Sequence, residues 1–228
     1  MRQALILAAG RGERLRPLTD SVPKPLLVAG GRTLIEWQVG RLARAGFTEL
    51  VVNYAHLGES IERSLGDGAR FGARIRYSPE EPALETAGGI AQALALLDDA
   101  PFLVVSSDIH TEFDYATLVP HAADIARDPA RRVAHFVLVD NRPWHPRGDM
   151  GLAGGRVTRT GPLLTYGNIG VFHPAIFRGI APGTCLALFP WAYRFVEEGR
   201  VTGERYQGAW DNVGTPEQLA ALDRRLAS

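Results

Sequence analysis

Two glycines and three arginines follow the first apolar run of the chain, in the order L-I-L-A-A-G-R-G-E-R-L-R over residues 5–16. Glycine tolerates a positive φ and lets a phosphate approach the backbone closely, and a strand that runs into such a turn surrounds a concavity with N–H donors. No Gly-Lys-Ser/Thr follows and the spacing is not G-x-G-x-x-G, so neither common phosphate motif applies. By itself a G-x-G after a strand is equally typical of a tight turn. The candidate anion ligands are Gly10, Gly12, Glu13 and Arg14.

Lys24 lies between two prolines in the sequence V-P-K-P-L. The prolines restrict the backbone on both sides of the lysine and remove two N–H donors. A flexible surface lysine needs no such restraint, whereas a lysine that points at a triphosphate benefits from a fixed position. We therefore interpret Lys24 as a phosphate-contacting side chain, with an ordinary surface cation as the alternative.

Asp108 follows a second apolar run, F-L-V-V-S-S-D. Ligands of α/β proteins bind at the carboxyl ends of the strands, and a carboxylate there can hold Mg²⁺, which prefers one or two protein oxygens beside phosphates and waters. An aspartate in this position can equally cap the next helix. The sequence leaves both interpretations open at this point.

The elements that must position these side chains follow from the hydrophobic period. Short apolar runs alternate with segments of helical period, which is typical of βαβ units in a largely parallel sheet. Thr33 and Glu36 stand at capping-box spacing, and Gly46 follows the end of that helix. The predicted strands are residues 3–8, 49–53, 74–77, 102–106, 133–139 and 167–172. The predicted helices are residues 33–45, 57–65, 86–97, 115–126, 189–198 and 216–226.

The composition predicts one domain over residues 1–228, with residues 141–182 as a loop and hairpin subregion over the carboxyl edge of the sheet. The chain carries 25 Lys and Arg residues and 25 Asp and Glu residues, so no overall positive field gathers nucleic acid or an anionic membrane. Its single cysteine, Cys185, excludes an internal disulfide. The apolar run at residues 4–10 is too short for a membrane span, and its charges follow it, unlike those of a signal peptide. We expect a soluble, cytoplasmic protein.

The stretch LILAAGRGERLRPLTDSVPKPLL resembles the signature of the sugar-phosphate nucleotidyltransferases, G-x-G-x-R-L with a downstream P-K-P. The segments LETAGGI, VLVDN, RGD and WDNVGT extend the resemblance over nearly the whole chain, and it is closest to the bacterial N-acetylmuramate 1-phosphate uridylyltransferases that recycle cell-wall sugar. The resemblance implies a Rossmann-like, GT-A-like three-layer α/β fold with a mostly parallel mixed central sheet. It also implies an enzyme that joins a nucleoside triphosphate to a sugar 1-phosphate and releases pyrophosphate, with Mg²⁺ as its cofactor.

The resemblance assigns roles to the phosphate and base residues. Arg14 is expected to bind the phosphates and Lys24 to steady the α-phosphate, and these two are the catalytic candidates. The loop with Gly10, Gly12 and Glu13 is expected to wrap the triphosphate. By resemblance to the family's L-E-T-x-G-G, the base pocket takes Gly88 and Gly89, with Glu85 a weaker candidate.

The metal ligands implied by the resemblance are Asp108 and Asn212. The family motif is W-x-D-V-G-T, and matching from Trp210 places Asn212 where a carboxylate usually stands. An amide oxygen can still coordinate Mg²⁺, although the site then carries one less negative charge. Asp211 is the alternative through a shift of register, but adjacent residues of a strand face opposite ways.

The sugar is expected to contact Ser106, Asp149 and Asn168. Ser106 stands where related sequences often have asparagine, Asp149 matches an acidic ligand of sugar hydroxyls, and Asn168 in G-N-I-G resembles the N-x-G of enzymes that bind acetamido sugars. The expected partners are UTP, or another nucleoside triphosphate, and a sugar 1-phosphate, with neither nucleic acid nor membrane.

Two alternatives remain at this point. The first is a guanylyl- or cytidylyltransferase that acts on a heptose or hexose 1-phosphate. The second is a non-catalytic regulator that binds a nucleotide or a sugar phosphate, which the Ser106 and Asn212 departures favour and the complete set of Gly12, Arg14, Lys24 and Asp108 disfavours. The six histidines show no metal-ligand spacing along the chain.

Overall fold

The structure is a computed structural model that describes residues 2–227. Its strands are β1 (Gln3–Leu7), β2 (Val28–Ala29), β3 (Arg32–Thr33), β4 (Glu49–Tyr54), β5 (Arg74–Pro79), β6 (Phe102–Ser106), β7 (Ile109–Thr111), β8 (Ala134–Val139), β9 (Met150–Ala153), β10 (Arg156–Thr158), β11 (Leu163–Phe172), β12 (Val201–Tyr206) and β13 (Trp210–Asn212). Its α-helices are α1 (Leu34–Arg44), α2 (Gly58–Leu65), α3 (Glu85–Ala93), α4 (Val119–Arg127), α5 (Leu188–Trp191), α6 (Tyr193–Glu197) and α7 (Pro216–Ala227).

Within residues 2–227, the central sheet has nine strands in the order β5-β4-β1-β6-β11-β8-β12-β10-β9. The pairs β5–β4, β4–β1 and β1–β6 are parallel, and β12 pairs in parallel with β8. The strands β10 and β11 run against their neighbours. The sheet is therefore mixed, with most of its strands pointing the same way, as predicted.

Helices cover both faces of the sheet and bury two apolar cores. One core lies under α1, α2 and α4, where Val39, Ile61 and Ile125 pack against strand residues such as Val52. The other lies under α3, α5 and α6. A third cluster joins α7 to the loop after β1 through Leu15 and Leu222. This three-layer arrangement places the carboxyl ends of β1 and β6 side by side, at the edge where the candidate residues follow.

The first helix shows why local sequence is sufficient for many of these elements. The Thr33 hydroxyl accepts a hydrogen bond from the Glu36 N–H at 3.3 Å, and the Glu36 carboxylate accepts one from the Thr33 N–H at 2.9 Å. This reciprocal cap satisfies two donors that a helix start otherwise leaves without partners. The predicted capping box is confirmed.

The structure corrects the sequence-based elements at three places. The predicted helix over residues 189–198 is divided into α5 and α6 by a turn at Ala192, and Phe189 within α5 has an extended backbone (φ −113°, ψ 135°) because it precedes Pro190. The strand predicted at residues 167–172 begins earlier, at Leu163, where it also pairs with β9. The strand β12 was not predicted because its sequence V-T-G-E-R-Y lacks a clear apolar pattern. Its position beside β8 comes from tertiary packing.

Residues 141–182 contribute to the sheet itself. The predicted hairpin is β9–β10, while β11 lies between β6 and β8 in the centre of the sheet. This continuity supports the single domain over residues 1–228, which remains a prediction. No helix within residues 2–227 combines the length and the apolar character that crossing a bilayer requires.

Candidate active site

The loop after β1 is held in a fixed shape by its own hydrogen bonds. Gly12 has φ 70°, and its carbonyl accepts from the Thr19 hydroxyl at 2.9 Å. A Cβ at Gly12 would lie 3.0 Å from Thr19 Cγ2 and 3.1 Å from Lys24 Cβ. Glycine is therefore required at this position twice over, by its backbone conformation and by the close approach of Lys24. The loop and the P-K-P segment pack directly against each other.

A cleft of about 350 Å³ opens above this loop, between the carboxyl ends of β1 and β6. Predicted residues from three separate segments line it: Gly10, Gly12, Lys24, Ser106 and Asp108. Arg11, Ala83, Glu85 and Thr86 complete much of the remaining wall. The position agrees with the general rule that open α/β sheets bind ligands at this edge.

Lys24 and Asp108 meet at the mouth of the cleft. The Lys24 ammonium forms an ion pair with the Asp108 carboxylate, and the two side chains are 13% and 23% exposed. Lys24 is the first residue of a short 3₁₀ helix (Lys24–Leu26) that follows Pro23 and contains Pro25. Asp108 lies two residues after the end of β6. The contact shows that both side chains point into the same space. A restrained cation that can bind a phosphate and a carboxylate that can bind a metal ion therefore share one space.

Arg14 and Glu13 lie farther along the loop. Together with Gly12, Lys24 and Gly214 they line a neighbouring opening of about 430 Å³. A Cβ at Gly214 would lie 2.9 Å from Arg14 Nη2, so Gly214 leaves room for the guanidinium. The opening shares Arg11, Gly12 and Lys24 with the cleft, and both openings therefore belong to one continuous surface.

Asn212 and Asp211 point in different directions on β13. This strand pairs with β7, and the Val213 N–H donates to the Asp108 carbonyl at 2.8 Å. Asp211 forms an ion pair with Arg225 of α7. The Asn212 Oδ1 is buried and has no hydrogen-bond partner among the residues that the structure describes.

A buried polar oxygen without a partner is costly unless a ligand satisfies it. Asn212 stands beside Ile109 in the strand pairing, one residue along from Asp108. An amide oxygen and a carboxylate are the oxygen donors that Mg²⁺ accepts. The residues present therefore fit a magnesium ion, and the geometry favours Asn212 over Asp211 as the second ligand.

The base-pocket candidates Gly88 and Gly89 are buried behind the cleft wall and do not line it. A Cβ at Gly88 would lie 2.0 Å from the Thr184 carbonyl oxygen, and one at Gly89 would lie 2.4 Å from Glu80 Oε1. Glu85 and Thr86, one turn earlier on α3, face the cleft instead. The two glycines allow α3 to pack closely, and their contact with a base remains a prediction.

Asn53 and Glu80 tie the walls of the cleft together, and sequence reasoning gave Asn53 no role. The Asn53 Oδ1 accepts from the Ala8 N–H at 2.8 Å, and its Nδ2 donates to Glu80 Oε1 at 2.6 Å. The other Glu80 oxygen accepts from the Leu84 N–H at 2.8 Å. Burial raises the pKa of Glu80 above its usual value, while these hydrogen bonds oppose the rise. The only sequence signal is a polar residue at the end of an apolar strand.

We expect Glu80→Gln to lower the free energy of unfolding by about 1–3 kcal/mol. Both Glu80 oxygens accept from N–H donors, so the NH₂ group of glutamine would face a donor and leave it without a partner. Glu81→Gln is the matched control, because its side chain is exposed and such substitutions change stability by roughly 0.5 kcal/mol or less. Urea unfolding of the two variants measures the difference. Equal stabilities would show that the network contributes little.

A second pocket of about 220 Å³ adjoins the cleft and shares Leu7, Thr86 and Ser106 with it. Asn168 lines this pocket with φ 57°, at a bulge of β11 where the pairing with β8 shifts between Tyr166 and Ile169. A bulge re-aims a side chain out of the regular alternation of a strand. Ser106 and Asn168 line the same pocket, while their contact with a sugar remains a prediction. The rest of the lining is largely apolar: Leu7, Val104, Ala187, Leu188 and Phe189.

Asp149 lies next to this pocket and does not line it. Its Oδ2 accepts from the Tyr166 N–H at 2.8 Å and its Oδ1 lies 2.9 Å from His145 Nε2. Both carboxylate oxygens are thus already engaged. Tyr166 itself lines the pocket, so Asp149 positions a lining residue. Tyr166 was not among the predicted residues, and no motif marks it.

His110 follows Asp108 closely in sequence but faces away from the cleft. Its Nε2 lies 3.4 Å from Arg41 Nη2 and its Nδ1 3.4 Å from Arg225 Nη2. Burial and then Arg41 lower the pKa of His110 to about 4. The ring is neutral at pH 7 and packs on Trp37 at a centroid distance of 5.3 Å. Its contacts are structural.

Comparison with known proteins connects this geometry to a family. The family model for nucleotidyl transferases matches residues 3–145. The N-acetylmuramate alpha-1-phosphate uridylyltransferase of Neisseria meningitidis serogroup B is 46% identical over 218 residues, which are 93% of either chain. The enzyme of the same name from Caulobacter vibrioides is 33% identical over 98% of this chain and 96% of its own length.

Solved structures show the same fold. HddC from Yersinia pseudotuberculosis superposes with a TM-score of 0.80 at 17% identity, and the match covers 99% of both chains. A Bacillus anthracis protein solved with sucrose gives a TM-score of 0.85 at 19% identity, over 99% of this chain and 95% of that one. The predicted Rossmann-like three-layer α/β fold is confirmed.

Proposed function

This chain belongs to the nucleotidyl transferase family and is a sugar-1-phosphate nucleotidyltransferase, and from that premise we propose that it makes UDP-N-acetylmuramic acid from UTP and N-acetylmuramate 1-phosphate. The observation that carries the proposal is a pocket with Ser106 and Asn168 that adjoins the cleft with Lys24 and Asp108. The relatives from Neisseria and Caulobacter, which match nearly the whole chain, support the choice of nucleotide and sugar. The product belongs to the recycling of peptidoglycan sugar.

The reaction needs no nucleophilic side chain. An oxygen of the sugar phosphate is already anionic and attacks the α-phosphorus of UTP, while the bond from that phosphorus to the bridging oxygen of pyrophosphate breaks. Negative charge shifts toward the leaving pyrophosphate. The protein therefore acts by holding the two substrates in line and by placing positive charge where the negative charge grows.

Each half of the site has a defined task in this proposal. Lys24 contacts the α-phosphate and Arg14 the outer phosphates, while the loop with Gly10, Gly12 and Glu13 surrounds the triphosphate. Asp108 and Asn212 would hold Mg²⁺, which supplies charge neutralisation and orientation of the phosphates when it is bound. The ion pair between Lys24 and Asp108 supports these roles, because it shows that a cation for the phosphates and a carboxylate for the metal point into the same cleft.

The acceptor sugar would occupy the pocket beside Asn168. The amide of Asn168 can both donate to and accept from an acetamido group. Ser106 lines both the cleft and the pocket, so its hydroxyl would lie between nucleotide and sugar. The apolar wall with Leu188 and Phe189 suits the carbon face of a sugar ring. Gly88 and Gly89 lie behind the wall that would contact the base.

We further propose that the enzyme works in the cytoplasm. Its single cysteine, Cys185, is free and exposed. An exposed free thiol is stable in a reducing compartment and is prone to oxidation outside it. The balanced charge of the chain supports small-molecule substrates and gives no support for nucleic acid or membrane as a partner.

A substrate panel tests the proposed function directly. Purified protein is assayed for pyrophosphate release with UTP, GTP, CTP and dTTP, each with N-acetylmuramate, N-acetylglucosamine, glucose, mannose and heptose 1-phosphates. We expect UTP with N-acetylmuramate 1-phosphate to give the highest kcat/KM. A different best pair would contradict the substrate assignment and leave nucleotidyl transfer intact, whereas release of pyrophosphate with no pair would contradict catalysis itself.

Asp149→Ala is expected to raise the KM for the sugar phosphate and to leave the KM for UTP nearly unchanged. The carboxylate fixes the Tyr166 backbone at the sugar pocket, and loss of a buried hydrogen-bond partner costs about 1–3 kcal/mol. Asn168→Asp, which keeps the size of the side chain and removes its amide donor, is expected to act in the same direction. Initial rates with each substrate varied in turn measure both constants. A change confined to the UTP constant would place these residues in the nucleotide half of the site.

A further inference from the structure

Three side chains that can bind a metal meet outside the proposed active site, beneath helix α4. His121 lies on α4, His135 on β8 and Glu204 on β12, and each offers a ligand atom within 4.8 Å of the other two. No residue of α4, β8 or β12 lines the cleft or the sugar pocket. The three positions are far apart in sequence, so the histidine spacing did not predict this cluster. We call it the His121 cluster, made of His121, His135 and Glu204.

His135 is the fixed member of the His121 cluster. It is 2% exposed, with Nδ1 2.9 Å from Thr202 Oγ1 and Nε2 3.4 Å from Glu204 Oε1. The Thr202 hydroxyl donates to the Ala134 carbonyl at 3.5 Å, which leaves its oxygen to accept from Nδ1–H. A hydrogen bond of this kind sets the tautomer and aims the free Nε2 lone pair, as in many metal sites. The contact of Nε2 with Glu204 Oε1 is a hydrogen bond only while Nε2 carries a proton, and a bound metal ion would replace that proton.

His121 is the adjustable member. Its ring stacks on that of His135 at a centroid distance of 3.6 Å and an interplanar angle of 12°. The Glu204 carboxylate lies beside these rings, with Oε1 3.4 Å from His135 Nε2. Neutral imidazole and ionised carboxylate are the forms that bind a metal. Both side chains are partly exposed, so an ion can enter from solvent.

We propose that the His121 cluster is a binding site for a divalent transition metal ion such as Zn²⁺. Two imidazole nitrogens and one carboxylate oxygen, with water in the fourth position, suit Zn²⁺, whereas Mg²⁺ prefers oxygen ligands throughout. Ligand atoms around tetrahedral zinc lie about 3.4 Å apart. The ligand atoms of the cluster lie within 4.8 Å of one another, so ion binding requires the most distant pair to approach by at most about 1.4 Å and the stacked His121 ring to turn its nitrogen toward the ion. The bound ion joins α4 to β8 and β12 and stabilises that face of the sheet.

The test uses the full chain with excess Mg²⁺ to occupy oxygen-only sites. Titration calorimetry with ZnCl₂ gives the affinity, and the absorption spectrum with Co²⁺ reports nitrogen ligation. We expect one Zn²⁺ per chain in the wild type. His121→Ala and Glu204→Gln should weaken binding about 100-fold or more, and Thr202→Val, which leaves every ligand in place, about tenfold. His173→Ala, a partly exposed histidine outside the cluster, is the matched control and should bind as the wild type does.

Two outcomes would overturn the proposal. Equal Zn²⁺ affinity in the wild type and in His121→Ala would show that the ion binds elsewhere. Loss of Zn²⁺ binding in Asp108→Asn, with His121→Ala unaffected, would assign it to the active site. Circular dichroism of each variant checks its fold, and His121→Gln, which keeps a polar side chain, replaces His121→Ala if the latter unfolds. Because calorimetry and the Co²⁺ spectrum need no turnover, the result is independent of the proposed nucleotidyl transfer.

Discussion

Lys24→Ala is expected to lower kcat about 100-fold or more while the KM for UTP changes little. The ammonium is held at the mouth of the cleft by the flanking prolines and by Asp108, with a side chain that is only 13% exposed. Negative charge at the α-phosphate is redistributed in the transition state, so a cation fixed there stabilises the transition state more than bound UTP. Loss of such an interaction appears in kcat.

The measurement is the initial rate of pyrophosphate release at varied UTP and saturating sugar phosphate. Arg16→Ala is the matched control, because Arg16 is a cation of the same loop that is exposed and pairs with Asp20. Its rates should stay close to those of the wild type. A normal kcat with a raised KM in Lys24→Ala would instead make Lys24 a residue that only binds the triphosphate.

Removal of divalent metal is expected to abolish activity, and Asp108→Asn to lower kcat by roughly 100-fold or more. The Asp108 carboxylate follows strand β6 and contacts Lys24, and the Asp108 carbonyl accepts a hydrogen bond at 2.8 Å from the N–H of Val213, the residue after Asn212. Without the carboxylate, the ion loses a negatively charged ligand, and the phosphates lose the position that the bound ion would give them. Assays with Mg²⁺, Mn²⁺ and excess chelator test this, and full activity in the chelator would remove the metal from the mechanism.

Substitutions at the neighbouring residues Asn212 and Asp211 test which of them is the second metal ligand. Asn212→Asp should tighten Mg²⁺ binding, because a second carboxylate joins the site. Asp211→Asn should leave it unchanged, because Asp211 faces Arg225 on the other side of the strand. Activity at varied Mg²⁺ gives the apparent affinities of both variants. The reverse ranking would identify Asp211 as the ligand.

Much of the fold was predictable because it depends on short-range physics. The capping box at Thr33 and Glu36, the buried strand that leads to Gly10 and the apolar run that ends before Asp108 are all local patterns. The predicted helices and strands were wrong in places, for two reasons. In one case the sequence contained a local signal that was missed, and in the other it contained no local signal. Pro190 forces its neighbour Phe189 out of the helix, whereas nothing in V-T-G-E-R-Y marks β12 as a strand beside β8.

The candidate site divides in the same way. Its candidate residues were available from the sequence, since Gly12, Lys24, Asp108 and Asn168 belong to motifs that the resemblance to the family assigns to phosphate, metal and sugar. The sequence did not show which residues of a helix or strand would face the cleft. Glu85 and Thr86 of α3 line the cleft, whereas Gly88 and Gly89, one turn later, pack against Thr184 and Glu80, and their contact with a base remains a prediction.

The sequence by itself determined the class of fold, and it supplied the candidate anion-binding loop and the groups proposed to meet phosphate and metal. These depend on hydrophobic period, on caps and on glycine and proline, all of which act within a few residues. Only the tertiary structure decided that Asn53 joins the loop to Glu80, that Asp211 pairs with Arg225 while the buried Asn212 oxygen has no partner within residues 2–227, and that His121 meets His135. Such pairings depend on strand register and on the packing of a helix against the sheet, which bring together residues that no local pattern relates.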